Sequence, residues 1–214
     1  MEESSHWPKK GDNPFLAKST DHNSPTWAYL HWLTLQNFDD SLLAGAFKEA
    51  GDKIIKELSR GEDTNHPDKF FIPIAYLYRH SLELEMKHLI RLGIKLELIE
   101  KDKKLSSALK NHNLCKLWNC VRKILEKCWP DGPKEDINTV ERIIQEFHKI
   151  DKSGQNLRYS ENLSGKNTLK SLPESVQLTH MHDIFAAVFN FLNGCEAALE
   201  DELELIQEFS KEPF

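Results

Sequence analysis

Apolar residues recur at three- and four-residue steps along most of the chain beyond residue 39, and that spacing predicts helices. Leu43, Phe47, Ala50, Ile54 and Leu58 mark a helix over 39–60, with Asp39, Asp40 or Ser41 able to cap its start and Gly61 able to end it. After the loop GEDTNHPDK a second helix is expected from about 68 to 92, stopping at Gly93. Pro73 falls near its first turn, where a missing N–H costs little. Leu114, Leu117, Val121, Ile124, Leu125 and Cys128 outline a third helix over about 113–129, closed by WPDGP. Ile137, Val140, Ile144 and Phe147 outline a fourth over 134–150. Residues 151–174 have no periodicity and read as a long loop, a kind of segment that is often functional. The last helix is expected to start between 175 and 180 and to reach about 209, with a seam of Ile184, Val188, Phe191 or Leu192, Cys195, Leu199 and Leu203. No strand pattern and no internal repeat appear. An all-α bundle of about five helices follows.

The first 25 or so residues are rich in Ser, Asn, Asp, Lys and Pro and are expected to be poorly ordered. In TWAYLHWLTL, Trp27, Tyr29, Trp32 and Leu33 are too apolar for a free tail. That segment either packs on the body or docks another protein. The expected organisation is an arm over 1–38 and a helical bundle over 39–214.

Of the 214 residues, 39% are hydrophobic and 29% charged, enough apolar material for a core. A formal net charge of −6 argues against a uniformly basic nucleic-acid-binding surface. A local one is still available, because Lys101, Lys103, Lys104, Lys110, Lys116, Arg122, Lys123 and Lys127 lie close together with few acids between them. The four cysteines form no CxxC pair, and three of them share one predicted helix, where rigid spacing disfavours disulfides. Reduced thiols, no apolar run near the ~20 residues that span a bilayer, and no signal-peptide core together predict a soluble cytoplasmic chain. His112, Cys115, Cys120 and Cys128 do not have the paired spacing of a zinc site. Neither metal nor cofactor is expected.

Candidate chemistry sits in three places. Arg79, Glu83 and Lys87 are spaced by four and form one row on a helix, either a solvated ion-pair stripe or part of a site, with His80 alongside. His112 precedes the third helix, as a capping histidine or as a proton donor and acceptor at a helix end that attracts anions. In FHKIDKSGQNLRYS, His148 and Asp151 are followed by Arg158 and Tyr159, a cation and a ring suited to phosphate and base contact or to anchoring the loop. Arg142 and His148 are six apart, which turns them about 240° around a helix, so they do not share a face.

The combination Arg79-x-Ser81-x-Glu83-x3-Lys87, His112-x-Leu114 and Asp151-x6-Arg158-Tyr159 resembles the HEPN superfamily (higher eukaryotes and prokaryotes nucleotide-binding domains), over about residues 68 to 200. The resemblance implies a helical bundle that often dimerises. It also implies membership of a group with many metal-independent ribonucleases from prokaryotic defence and toxin–antitoxin systems, and with others that bind nucleotides or act as scaffolds. The family's nuclease signature is an Arg, four to six residues, then His. Arg142 and His148 have that spacing, but the common R-N-x3-H form is absent.

Two functions are therefore expected to compete. One is RNA or nucleotide binding with metal-independent endoribonuclease chemistry. In it, catalysis draws on His112, His148, Arg142 and Arg158, and binding on Arg79, His80, Glu83, Lys87, Asp151 and Tyr159. The other is a non-catalytic scaffold within a larger complex. The last helix, at roughly 30 residues or about 45 Å, is long for such a body. It predicts a homodimer or a hetero-complex with a protein partner, or else a kink near Gly194 that folds the helix back.

Overall fold

The computed structural model describes residues 28, 39–61, 67–161, 165, 167–168 and 172–209. The chain divides into two units, Met1–Phe38 and Asp39–Phe214, and the helices described belong to the second. The aromatic segment around Trp27 and Trp32 lies outside the described residues.

Those residues form six helices and no strand, an all-α architecture: α1 Asp40–Ser59, α2 Asp68–Lys95, α3 Lys103–Leu109, α4 Leu114–Cys128, α5 Lys134–Ile150 and α6 Leu178–Phe209. No described helix is long and apolar enough to cross a membrane. Side chains cap the starts of α1, α3 and α4, whereas α2 and α5 begin after a proline without a side-chain cap. Asp39 accepts from the amides of Ser41 and Leu42 at 3.1 Å, Asp102 from Leu105 at 2.7 Å, and Asn113 from Lys116 at 2.9 Å. Helix α3 was not foreseen. It lies in the lysine-rich stretch and is only seven residues long, too short to show a period, and it is held by the Asp102 cap and by burial of Leu105 and Ala108. Pro73 sits one turn deeper than expected, as the sixth residue of α2.

Helix α2 is the axis of the fold. It packs against α1, α4 and α6, while α4 packs against α5. A helix surrounded in this way must bury nearly its whole circumference, and α2 does so from Ile74 to Gly93, polar residues included. Tyr78 joins three helices: its ring stacks on Phe185 of α6 at 4.0 Å, and Phe185 meets Phe147 of α5 edge-on at 5.8 Å. A Cβ on Gly51 of α1 would lie 2.6 Å from the Tyr78 ring, so the α1–α2 approach requires glycine there.

The seam of α6 differs from the expected one by one residue in its first half. Phe185, Val188, Phe189, Leu192 and Leu199 are buried, whereas Ile184 is exposed. The 3.6-residue period leaves adjacent apolar positions hard to separate, and stacking of Phe185 on Tyr78 decides the register. The helix runs unbroken through Gly194, and Leu205, Ile206 and Phe209 remain solvent-exposed, so no fold-back buries them.

Candidate functional site

The Arg79–Glu83–Lys87 row is not a solvated stripe. Arg79 and Glu83 are each only 2% exposed. Arg79 Nη1 donates to Glu83 Oε2 at 2.9 Å, Nη2 donates to the His112 carbonyl, and Nε donates to the Asp151 carbonyl at 3.2 Å. The fully buried Asp151 carboxylate lies 3.3 Å from the same Nε, an ion pair rather than an aligned hydrogen bond. One guanidinium thus ties α2 to the turn before α4 and to the end of α5. Its planar fork of donors is the reason an arginine can serve three segments at once.

Glu83 is the acceptor at the centre. Its Oε1 receives Lys87 Nζ at 2.7 Å and His112 Nδ1 at 2.8 Å. Burial alone would raise the pKa of this carboxyl. The hydrogen bonds from Lys87, Arg79 and His112 outweigh it and hold the group down at about 2. An ionised carboxylate can only accept, so Nδ1 of His112 must carry the hydrogen. In the neutral ring Nε2 then bears the free lone pair. The His112 side chain is 50% exposed, so this ring links a buried anion to solvent.

The loop after α5 closes over the network. Asp151 Oδ1 accepts from the amides of Gln155 and Asn156 at 3.0 Å each, folding the backbone back. Gly154 has φ +75°, and a Cβ there would lie 2.8 Å from His112 Cβ and 3.4 Å from Arg79 Nη1. Only glycine combines that backbone with that approach. The Gly154 carbonyl accepts from Arg158 Nε at 3.0 Å, so the residue that touches His112 also holds Arg158. The Arg158 guanidinium lies 5.6 Å from the centre of the Tyr159 ring, and both side chains line a shallow depression with Ser153, Gln155 and Asn156.

Of the residues singled out by sequence, Arg79, Glu83, Lys87, His112 and Asp151 form one bonded network, with Arg158 and Tyr159 at its rim. His80 borders it without bonding into it: its ring meets Phe47 edge-on at 4.6 Å and stacks on Tyr76 at 5.7 Å. Burial, and the nearby charges of Arg79, Lys87 and His112, lower its pKa against the pull of Glu83, so it is a neutral packing residue. His148 lies in the last turn of α5, its Nδ1 buried without a partner. Burial lowers its pKa as well, helped by Arg79 and Lys152 and opposed by Asp151. Arg142 is not brought to the site. It is exposed on α5 and, among the described residues, reaches only Thr139 Oγ1 at 3.4 Å, as the 240° separation from His148 implies.

Two polar groupings escaped sequence reading. Tyr78 Oη donates to Asp52 Oδ1 at 2.7 Å, and His182 Nδ1 lies 3.0 Å from Tyr78 Oη and 3.1 Å from Asp52, with Lys48 on the other Asp52 oxygen at 2.6 Å. Burial and the Asp52 carboxylate push the Tyr78 phenol pKa far up, so it stays a donor. The second grouping joins Glu85 and His88 of α2 to Glu196 and Glu200 of α6. Its only sequence signals were Glu85-x2-His88 and Glu196-x3-Glu200, which become one cluster once the two helices are known to touch.

A basic groove adjoins the site. Lys103, Lys104, Lys116 and Lys123 line it against Glu100 and Asp102, together with Asn111, the residue before His112. Comparison with family models, with curated proteins and with solved structures finds no match to this chain.

Proposed function

We propose that the protein engages RNA across the His112–Arg158–Tyr159 face and the adjoining lysine groove, and that His112 performs metal-independent proton transfer in phosphodiester cleavage. The observation that carries this reading is the Glu83–His112 pair. A buried carboxylate fixed by Arg79 and Lys87 orients, through Nδ1, an imidazole that is half exposed to solvent. His112 Nε2 takes the proton of a ribose 2′-OH as that oxygen attacks the adjacent phosphorus, and returns it to the departing 5′-oxygen. Arg158 supplies positive charge to the phosphate as its negative charge increases, and Tyr159 offers a face for a base. The resemblance of these residues' sequence spacing to the HEPN superfamily supports the same reading, with His112 rather than the Arg142–His148 pair as the source of the reacting group. In this reading Arg79 is a positioning residue, because its donors are already engaged inside the protein.

RNA binding is expected to weaken steeply with salt, and cleavage in the presence of EDTA is expected to leave 2′,3′-cyclic phosphate ends. His112→Ala is expected to lower the rate by about 10²-fold or more. The fold should survive, since Glu83 keeps Arg79 and Lys87. Activity that requires magnesium, or that persists in His112→Ala, would overturn the mechanism. The alternative, a non-catalytic scaffold, is favoured by the full internal engagement of Arg79, Glu83 and Asp151. It predicts that His112→Ala and Arg158→Ala leave the biological effect intact while the protein stays folded.

A further inference from the structure

On the side of α2 opposite the Glu83 network lies a cluster with a different composition. His88 Nε2 lies 3.1 Å from Glu196 Oε1 and 3.8 Å from Glu200 Oε1, and ligand atoms of all three residues lie within 4.8 Å of one another. Two ligands bound at ~2.1 Å to one ion are ~3.0 Å apart at right angles and ~3.4 Å apart in a tetrahedron, so the His88–Glu196 separation already fits shared coordination, and the half-exposed Glu200 would have to move inward to complete it. His88 Nε2 is buried and attracted to the Glu196 carboxylate at 3.1 Å, but among the described residues it makes no well-aligned hydrogen bond. Ligand atoms that converge on a common point behave this way, because they face the point and not each other.

Two further features point to a cation. Glu85, three residues before His88 on the same helix, is fully buried, and among the described residues its carboxyl faces only the Glu196 carboxyl, close enough to share a proton but without an aligned hydrogen bond. Such a side chain is expensive to bury unless it is paired. The cluster as a whole holds Asp39, Glu85, Glu196 and Glu200 against a single imidazole, and among the described residues no Lys or Arg pairs with any of these acids. The other His88 nitrogen, Nδ1, lies 3.5 Å from Asp39 Oδ2, where a carboxylate commonly orients a metal-binding histidine.

We propose that His88, Glu196 and Glu200 bind one divalent first-row transition-metal ion, with Glu85 as an additional carboxylate and Asp39 orienting the His88 ring. One imidazole with several carboxylates suits manganese, iron, cobalt or zinc and disfavours calcium and magnesium, which prefer oxygen alone. A Glu-x2-His pair on one helix facing carboxylates on a neighbour is a construction that helical bundles use for metals. The ion would cross-link α1, α2 and α6 and act as a structural element, separate from His112 and from RNA chemistry.

The test is isothermal titration of the EDTA-stripped full chain with Mn²⁺, Zn²⁺ and Mg²⁺. Expected is one Mn²⁺ or Zn²⁺ per chain, a melting temperature raised by saturating metal, and little response to Mg²⁺. His88→Gln and Glu200→Gln should each weaken Mn²⁺ binding by about 100-fold or more, and Asp39→Asn by about 10-fold, the low end of the range for orienting groups. Glu200 is half exposed, so Glu200→Gln decides the matter if His88→Gln does not fold. Absence of stoichiometric uptake of either ion overturns the site, as does unchanged affinity in the Glu200→Gln protein. Zinc binding without manganese binding, unchanged in Glu200→Gln, would assign the ion to the thiols of Cys128 and Cys195 instead.

Discussion

Helix α2 carries two buried polar clusters on opposite sides, since Glu83 and Glu85 are about 200° apart on it. In the first, Arg79 and Lys87 compensate Glu83 and Asp151, and His112 completes the set. In the second, four acids surround His88. The first is electrically closed and reaches solvent through one ring. The second sets four carboxyl groups against one imidazole, with Asp39 and Glu200 about half exposed and Glu85 buried. Burial raises the carboxyl pKa in both, yet the net shifts are opposite. Glu83 is held at about 2 by its donors, while Glu85, raised by burial and then by Glu196, reaches about 8. The number of donors facing a buried carboxylate, more than the depth of burial, sets its charge state.

The comparison breaks most sharply at Arg79. Arg79→Ala leaves two buried carboxylates without their common partner and should cost about 3–5 kcal/mol, measured by urea unfolding. A loss under about 1 kcal/mol would mean that water or rearrangement closes the first cluster as easily as arginine does. Gly154→Ala should come next, at about 1–3 kcal/mol, because it combines a left-handed backbone with a Cβ 2.8 Å from His112. RNA cleavage should fall with it, whereas metal uptake at His88 should not change.

Acid and alkaline limbs separate the clusters further. The Glu83 pKa lies below its unfolded value of 4.5, so its contribution is complete above that pH and is lost as the pH falls through about 2. The Glu85 pKa lies above 4.5, so the metal-free fold binds the extra proton and loses stability as the pH rises from 4.5 through about 8. Melting curves in EDTA should therefore decline across that alkaline window, and Glu85→Gln should flatten the decline without lowering stability at its upper end. A wild-type curve already flat between pH 5 and 8 would remove Glu85 as the group responsible. The smallest effect belongs to Arg142→Ala, expected within about 0.5 kcal/mol in unfolding and without effect on cleavage, because the side chain only reaches Thr139 from an exposed face.

Helix positions were legible in the sequence because the apolar period is a local property. The 134–150 span matches α5, and the neighbouring spans shift only by one to three residues at their ends. The residue types of the first cluster were also legible, since a four-residue spacing puts Arg79, Glu83 and Lys87 in one row wherever the helix lies. Whether that row was wet or dry was not legible. Burial of Arg79 depends on where α4, α5 and the loop through Gly154 pack, and those are contacts over 33 to 72 residues of chain. The glycine was visible as a loop residue, but its need for φ +75° against His112 was not.

The sequence by itself therefore determined that this chain is helical, roughly where every described helix but α3 begins and ends, and which residues of the Glu83 network were candidates for chemistry. The tertiary structure alone decided which of them meet. It gave His112 to Glu83, left Arg142 in solvent and brought His88 to Glu196 across α2 and α6. The physical reason is one of range. Periodicity and capping act within a turn or two, whereas the charge state and the partners of a buried side chain are set by whatever packs against it from elsewhere in the chain.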